Sequence, residues 1–156
     1  VALSPDGSLT RARVPLNADV ALTDGTEAPG QTRRVYLELQ GIKGTGTAAN
    51  YQVLIDLPDD TKPPVIAGVL STFGVARASQ SDSPHGGSGI NQVFDITDHA
   101  FALGLSLGNR DALNVMIQKI SGADDAFGVM EGLEALASDP PSEGQVRIGR
   151  INVIFR

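Results

Sequence analysis

Apolar and polar residues alternate along much of this chain, and that alternation predicts strands. Residues 9–16 (LTRARVPL) alternate directly after the turn signal Pro5-Asp6-Gly7. Residues 34–42 (RVYLELQGI) put Val35, Leu37 and Leu39 on one face and Tyr36, Glu38 and Gln40 on the other. Residues 51–57 (YQVLIDL) do the same with Tyr51, Val53, Ile55 and Leu57, whose face is expected to turn inward. Residues 65–75 (VIAGVLSTFGV) are mostly apolar despite Gly68 and Gly74, and read as a strand buried on both faces. Residues 91–96 and 113–120 are further strands, and residues 145–156 close the chain with another.

The closing strand changes phase. Val146 and Ile148 are apolar at even positions, whereas Ile151, Val153 and Phe155 are apolar at odd ones. Side chains alternate strictly along a strand, so the switch needs an extra residue. The pattern predicts a β-bulge at Gly149-Arg150.

Helical signals are few. Thr97 or Asp98 can cap a short helix beginning at His99. Residues 124–137 have helical spacing at Phe127, Met130, Leu133 and Leu136, although Gly128 and Gly132 each cost that helix about 1 kcal/mol relative to alanine. Pro140 and Pro141 end it. Residues 24–33 form a polar loop, and residues 76–90 a long loop of small residues. About seven strands and two short helices, with no strand-helix rhythm, predict a mostly β, antiparallel sandwich or barrel.

Composition narrows the function. The 18 glycines and 9 prolines suit strands joined by turns. A net charge of −6 argues against nucleic acid and against an anionic membrane surface as partners. No apolar run approaches the ~20 residues of a membrane-spanning helix. With no cysteine, disulfides, thiolate metal sites and thiol nucleophiles are excluded. The length fits one β-domain over residues 1–156, and the start at Val1 rather than methionine is expected of a processed or excised piece. Nothing in the chain assigns a compartment.

Catalytic signals are missing. The chain has two histidines, His85 and His99, too few for a dicopper centre, whose metals each take several imidazoles. His85 in SPHGG reads as a solvated loop residue, a copper contact being the minor alternative, and His99 as a surface or capping residue. No G-x-S-x-G motif occurs. The glycines of HGGSG precede a strand, whereas phosphate loops precede helices. Asp59-Asp60 and Asp124-Asp125 lack the alternating oxygen spacing of a calcium loop. With no tryptophan, two tyrosines and five phenylalanines, the aromatic platforms of carbohydrate-binding sandwiches are poorly supplied. The expectation is that this chain alone is not an enzyme and has no catalytic residue, cofactor or metal of its own.

Five stretches, in order, resemble the C-terminal domain of tyrosinases and polyphenol oxidases: RVYLELQGI, NYQVLIDLPDD, VIAGVLSTFGV, NQVFDITDHAFAL and VRIGRINVIFR. They span residues 34–156, leaving 1–33 as an N-terminal strand and loop. Tyr51-Gln52-Val53 stands where the family has Phe-Asp-Val. The glutamine at 52 favours a bacterial relative over the plant enzymes, and residues 121–144 are longer than the family's usual hairpin. The resemblance implies an antiparallel β-sandwich of jelly-roll type with one or two short helices. It also implies a non-catalytic domain that covers the active-site entrance of a dicopper phenol oxidase. Such a domain keeps the enzyme latent and assists folding or copper loading. The partner would be the dicopper catalytic domain of the same protein, and copper would reside there.

Two further readings stand beside that one. A free-standing sandwich binding a polysaccharide or protein partner predicts a groove lined by Tyr36 and Tyr51. A small hydrolase predicts a perturbed carboxylate or histidine in a deep pocket. On the oxidase reading, Phe127, Met130 and Leu133 are the candidates for facing the copper domain, one of them filling its pocket as a placeholder. Alternatively, that stripe covers the sandwich's own open end.

Overall fold

Seven strands form two antiparallel sheets in a computed structural model that describes residues 1–5, 7–16, 34–46, 48–58, 63–84, 86–103, 111–120 and 144–156. The strands are β1 (Thr10–Pro15), β2 (Val35–Gly44), β3 (Asn50–Asp56), β4 (Val65–Ser71), β5 (Ile90–Asp95), β6 (Ala112–Lys119) and β7 (Val146–Phe155). Two short helices, α1 (Val75–Ala78) and α2 (Thr97–Ala102), follow β4 and β5. One sheet has the order β1-β6-β3-β4 and the other β5-β2-β7. Every connection between successive strands crosses from one sheet to the other except β3–β4. That path is the one expected of a jelly-roll type of sandwich. Among the described residues no helix is long and apolar enough to cross a membrane.

The core lies between the sheets, where the alternation places it. Leu37 and Leu39 of β2, Tyr51, Val53 and Ile55 of β3, and Leu113, Val115 and Ile117 of β6 share one cluster. Leu70 of β4, Phe94 of β5 and Val146 and Ile148 of β7 belong to it too, with Ile151, Val153 and Phe155 packed against it. The inward face predicted for β3 is therefore the observed one. Leu3 also enters the core, because residues 1–3 run along the free edge of β7. Leu3 donates its amide to the Val146 carbonyl (2.8 Å), and the Val1 terminus donates to Ile148 (2.7 Å).

Three sequence expectations are corrected. The stretch at 65–75 is not a strand buried on both faces. β4 stops at Ser71, lies at a sheet edge and has a single fully buried residue, Leu70. Thr72 ends it by clasping residue 49, accepting from the Ala49 amide (2.8 Å) and donating to the Ala49 carbonyl (3.0 Å). The chain then turns into α1. The strand buried on both faces is β6, whose residues from Ala112 to Ile117 are all buried. It sits between two neighbours, and hydrophobicity along the chain does not encode that position.

The second correction concerns the phase change in β7. It occurs, but without a bulge against β2, because the β2–β7 register is unbroken from Val35↔Phe155 to Gly44↔Val146. β2 changes phase at the same level, being buried at Val35, Leu37 and Leu39 and then at Ile42. The two irregularities face each other, with Gly41 at φ +61° opposite Gly149, so the pair stays in step. The extra residue shows only against β5, where the β2 register shifts between Leu39 and Ile42.

The third is the start of α2, which begins at Thr97 rather than His99. Neither Thr97 nor Asp98 caps it. The Thr97 hydroxyl instead accepts from the Val35 amide (3.0 Å), and the Asp95 carboxylate takes the Thr97 amide (3.0 Å). The helical stripe of Phe127, Met130, Leu133 and Leu136, and His85, Asp59-Asp60 and Asp124-Asp125, lie outside the described residues.

Candidate functional site

Polar chemistry gathers at two places. At the first, where β5 meets α2, Asp95 accepts from the amide and the hydroxyl of Thr97 and from Arg34 Nη1 (3.2 Å). The Thr97 hydroxyl is the main cause that holds the Asp95 carboxyl below its ordinary value of 3.8. The Thr97 amide and the Arg34 charge act in the same direction, against desolvation. All of these groups are solvent-accessible, and the arrangement fastens α2 to the start of β2. It has the form of an anchor rather than of an acid-base pair.

The sign of its pH dependence follows. A carboxyl whose folded value lies below its unfolded value stabilises the fold above pH 3.8, and that contribution is lost as pH falls through the lower folded value. Thr97→Ala is expected to move the Asp95 titration midpoint, read from its side-chain carboxyl carbon by NMR, upward towards 3.8. An unmoved midpoint would transfer the effect to Arg34.

The second place is the outer face of the four-stranded sheet. Asn114 Nδ2 donates to Asp56 Oδ1 (2.7 Å) between paired strands, and Arg11 Nη2 approaches the Met116 sulfur (3.4 Å). Asn114 and Met116 are both buried although they point away from the main core. Among the described residues no three His, Cys, Asp or Glu side chains come together as metal ligands. His99, within α2, is the one described histidine. With two histidines and no cysteine in the sequence, the donor set does not fit a dicopper centre.

Tyr36 and Tyr51 do not line a common groove. Tyr51 is buried in the core, whereas Tyr36 lies in the other sheet, on its outer face between Asp95 and Ile154. Exposed apolar side chains were not singled out by periodicity. Phe73 is 82% exposed at the β4–α1 turn, and Leu9 and Ile120 are exposed at the same end of the sandwich. There Ile120 donates to the Asn50 carbonyl (2.8 Å), beside the Ala49–Thr72 clasp. A signal for Phe73 was present in Gly74, the glycine at φ +78° that opens α1 three residues after β4 stops. It was absorbed into an apolar run.

Comparison with known sequences decides the family. A protein-family profile described as a domain of unknown function, DUF7868, matches residues 3–130. The chain belongs to the DUF7868 family. The region matched in this DUF7868 member ends before β7, the strand that pairs with β2. No curated protein matches it. Among solved structures, it is similar to latent aurone synthase, a polyphenol oxidase, from natural source. There the TM-score is 0.51 at 11% identity, covering 99% of this chain and 25% of that one. The recombinantly expressed latent enzyme gives a TM-score of 0.50 at 13% identity, covering 100% and 25%. A crystal of the recombinant enzyme with hexatungstotellurate(VI) gives 0.51 at 14%, covering 95% and 24%. The likeness is one of fold, and the chain spans about a quarter of the length of these structures.

Proposed function

We propose that this chain is the non-catalytic C-terminal β-domain of a dicopper phenol oxidase of the tyrosinase and polyphenol oxidase type. It covers the entrance to the copper site, keeps the enzyme latent and assists folding or copper loading. The observation that carries the reading is that nearly the whole chain superposes on a quarter of a latent polyphenol oxidase. The five resembling stretches add order to that likeness: they fall in turn on β2, β3, β4 with its turn, β5 with α2, and β7. A covering domain works through shape and apolar contact. It needs neither a nucleophile nor a metal of its own, and the copper belongs to the partner, the catalytic domain of the same protein. Phe127, Met130 and Leu133 remain the candidates for facing that domain.

The test is made on the complete gene product. Catechol oxidation is expected to be low in the intact protein and to rise when this domain is removed by limited proteolysis. The isolated chain, supplied with Cu²⁺, is expected to oxidise catechol no faster than free Cu²⁺. A gene product without a histidine-rich upstream domain, or one whose activity ignores removal of this chain, would overturn the proposal.

A further inference from the structure

The paired irregularity at Gly41 and Gly149 gathers cations on the outer face of the three-stranded sheet. Strict alternation would send Arg147 and Arg150 to opposite faces, and Gln40 and Lys43 likewise. Here Leu39 and Ile42 are both buried in β2, and Ile148 and Ile151 of β7 both pack on the core. Lys43, Arg147 and Arg150 are therefore all turned outward, and all three are exposed. Lys43 and Arg147 are partners in register, and Arg150 stands opposite Gln40 on the other side of the two glycines. The floor between the two pairs carries no side chain.

Like charges directly opposite each other destabilise a sheet. Among the described residues no carboxylate is paired with Lys43, Arg147 or Arg150. Arg147 donates to the neutral amide of Gln145 (2.9 Å), and Glu38, on the same face of β2, is in register with Asn152. A counter-charge is present in the sequence. Residues 121–143, between β6 and β7, contain Asp124, Asp125, Glu131, Glu134, Asp139 and Glu143 and no lysine or arginine. The twelve other acids are matched by the twelve lysines and arginines, so this segment carries the whole excess of −6. It rejoins the described chain at Gly144, beside Thr45 and three residues before Arg147. At about 3.3 Å per extended residue, Glu143 and Asp139 can reach the cations from that point.

We propose that the outer face around Gly41 and Gly149 is a docking surface for the acidic segment 121–143 of the same chain, whose carboxylates pair with Lys43, Arg147 and Arg150. A foreign anion has to approach a chain whose excess charge is negative, whereas the tether at Gly144 holds these carboxylates beside the cations. Exposed ion pairs are individually weak and are screened, so the docking is reversible and yields to salt. The inference concerns the acids of the segment. It does not rest on the oxidase reading, to which Phe127, Met130 and Leu133 belong.

Carbodiimide coupling, which joins a lysine to a carboxylate in contact with it, is the test, mapped by mass spectrometry on the 156-residue chain. At low salt Lys43 is expected to couple to acids of residues 121–143 about threefold more than Lys62, between β3 and β4, does. That yield should fall about threefold in roughly 1 M NaCl, where the screening length is about 3 Å. It should fall as far in Arg147→Gln/Arg150→Gln, which keeps both Lys43 and the tether. Thermal melts check folding and give a second reading by sign. On a bare face Lys43→Gln relieves the repulsion from Arg147 and raises the melting temperature at low salt, whereas on an occupied face it removes a partner of the carboxylates and lowers it. Coupling that ignores salt and the double variant, coupling to Lys62 in equal yield, or a melt raised by Lys43→Gln would overturn the proposal. So would absent coupling with a melt raised by about 1 mM tripolyphosphate in the parent but not in the double variant, which would give the face to a foreign anion.

Discussion

Ile55→Ala is expected to cost roughly 2 to 5 kcal/mol of folding stability, a large share of what a domain of this size has. Ile55 is fully buried in β3, with Val65 of β4 and Val115 of β6 as its cross-strand neighbours. Shortening it removes apolar surface from the middle of the four-stranded sheet and leaves a cavity that neither neighbour can close, since both are held by ladder hydrogen bonds. Urea unfolding measures the loss. Leu54→Ala is the control, one residue along on the outer face, and is expected to cost much less because Leu54 is already partly hydrated. Equal costs at the two positions would mean that the core is not where the alternation and the packing put it.

Gly89→Ala should be nearly as damaging, for a steric reason. Gly89 enters β5 with φ +82°, and a Cβ there would lie 2.3 Å from the Ile42 carbonyl oxygen, which is backbone of β2 just past its irregularity. An L-residue in this conformation costs about 1 to 2 kcal/mol by itself. The clash adds to that, because the obstructing atom belongs to a strand paired on both sides. Gly74→Ala separates the two causes: its φ of +78° is almost the same, but a Cβ there meets nothing within 4 Å. Thermal melts should place Gly74→Ala modestly below the parent and Gly89→Ala well below that. Similar melts for the two would show that β2 yields and that the approach of Gly89 to it is not a constraint.

The β-sandwich was legible in the sequence because alternation is a local property. Residues 35–39 and 51–57 reveal their inward faces without reference to any other strand. The phase change at 148–151 was legible too. Its consequence was not, since an irregularity on one strand can be matched by another on its partner, and Gly41 lies more than a hundred residues away from Gly149. The cap of α2 was not legible, for a related reason. Thr97 is well placed in sequence to cap the helix, but its hydroxyl is engaged by the Val35 amide, a partner that only folding brings near.

The candidate surfaces divide in the same way. The shortage of imidazole and thiolate donors follows from residue types, and needs no coordinates. Which apolar residues face water does not follow from residue type, and 65–75 shows why. Its hydrophobicity would suit a strand with neighbours on both sides, yet it lies at a sheet edge with Ile66, Val69 and Phe73 outside. Residues 113–120 read only as a further strand, yet β6 is the one buried on both faces. The chain by itself determined that strands would form, which faces of β2 and β3 were apolar, and that two histidines are too few for a dicopper centre. Strand order, edge against centre, and the pairing of Gly41 with Gly149 were decided only by the tertiary structure, because burial depends on neighbours, and sheets draw their neighbours from distant parts of the chain.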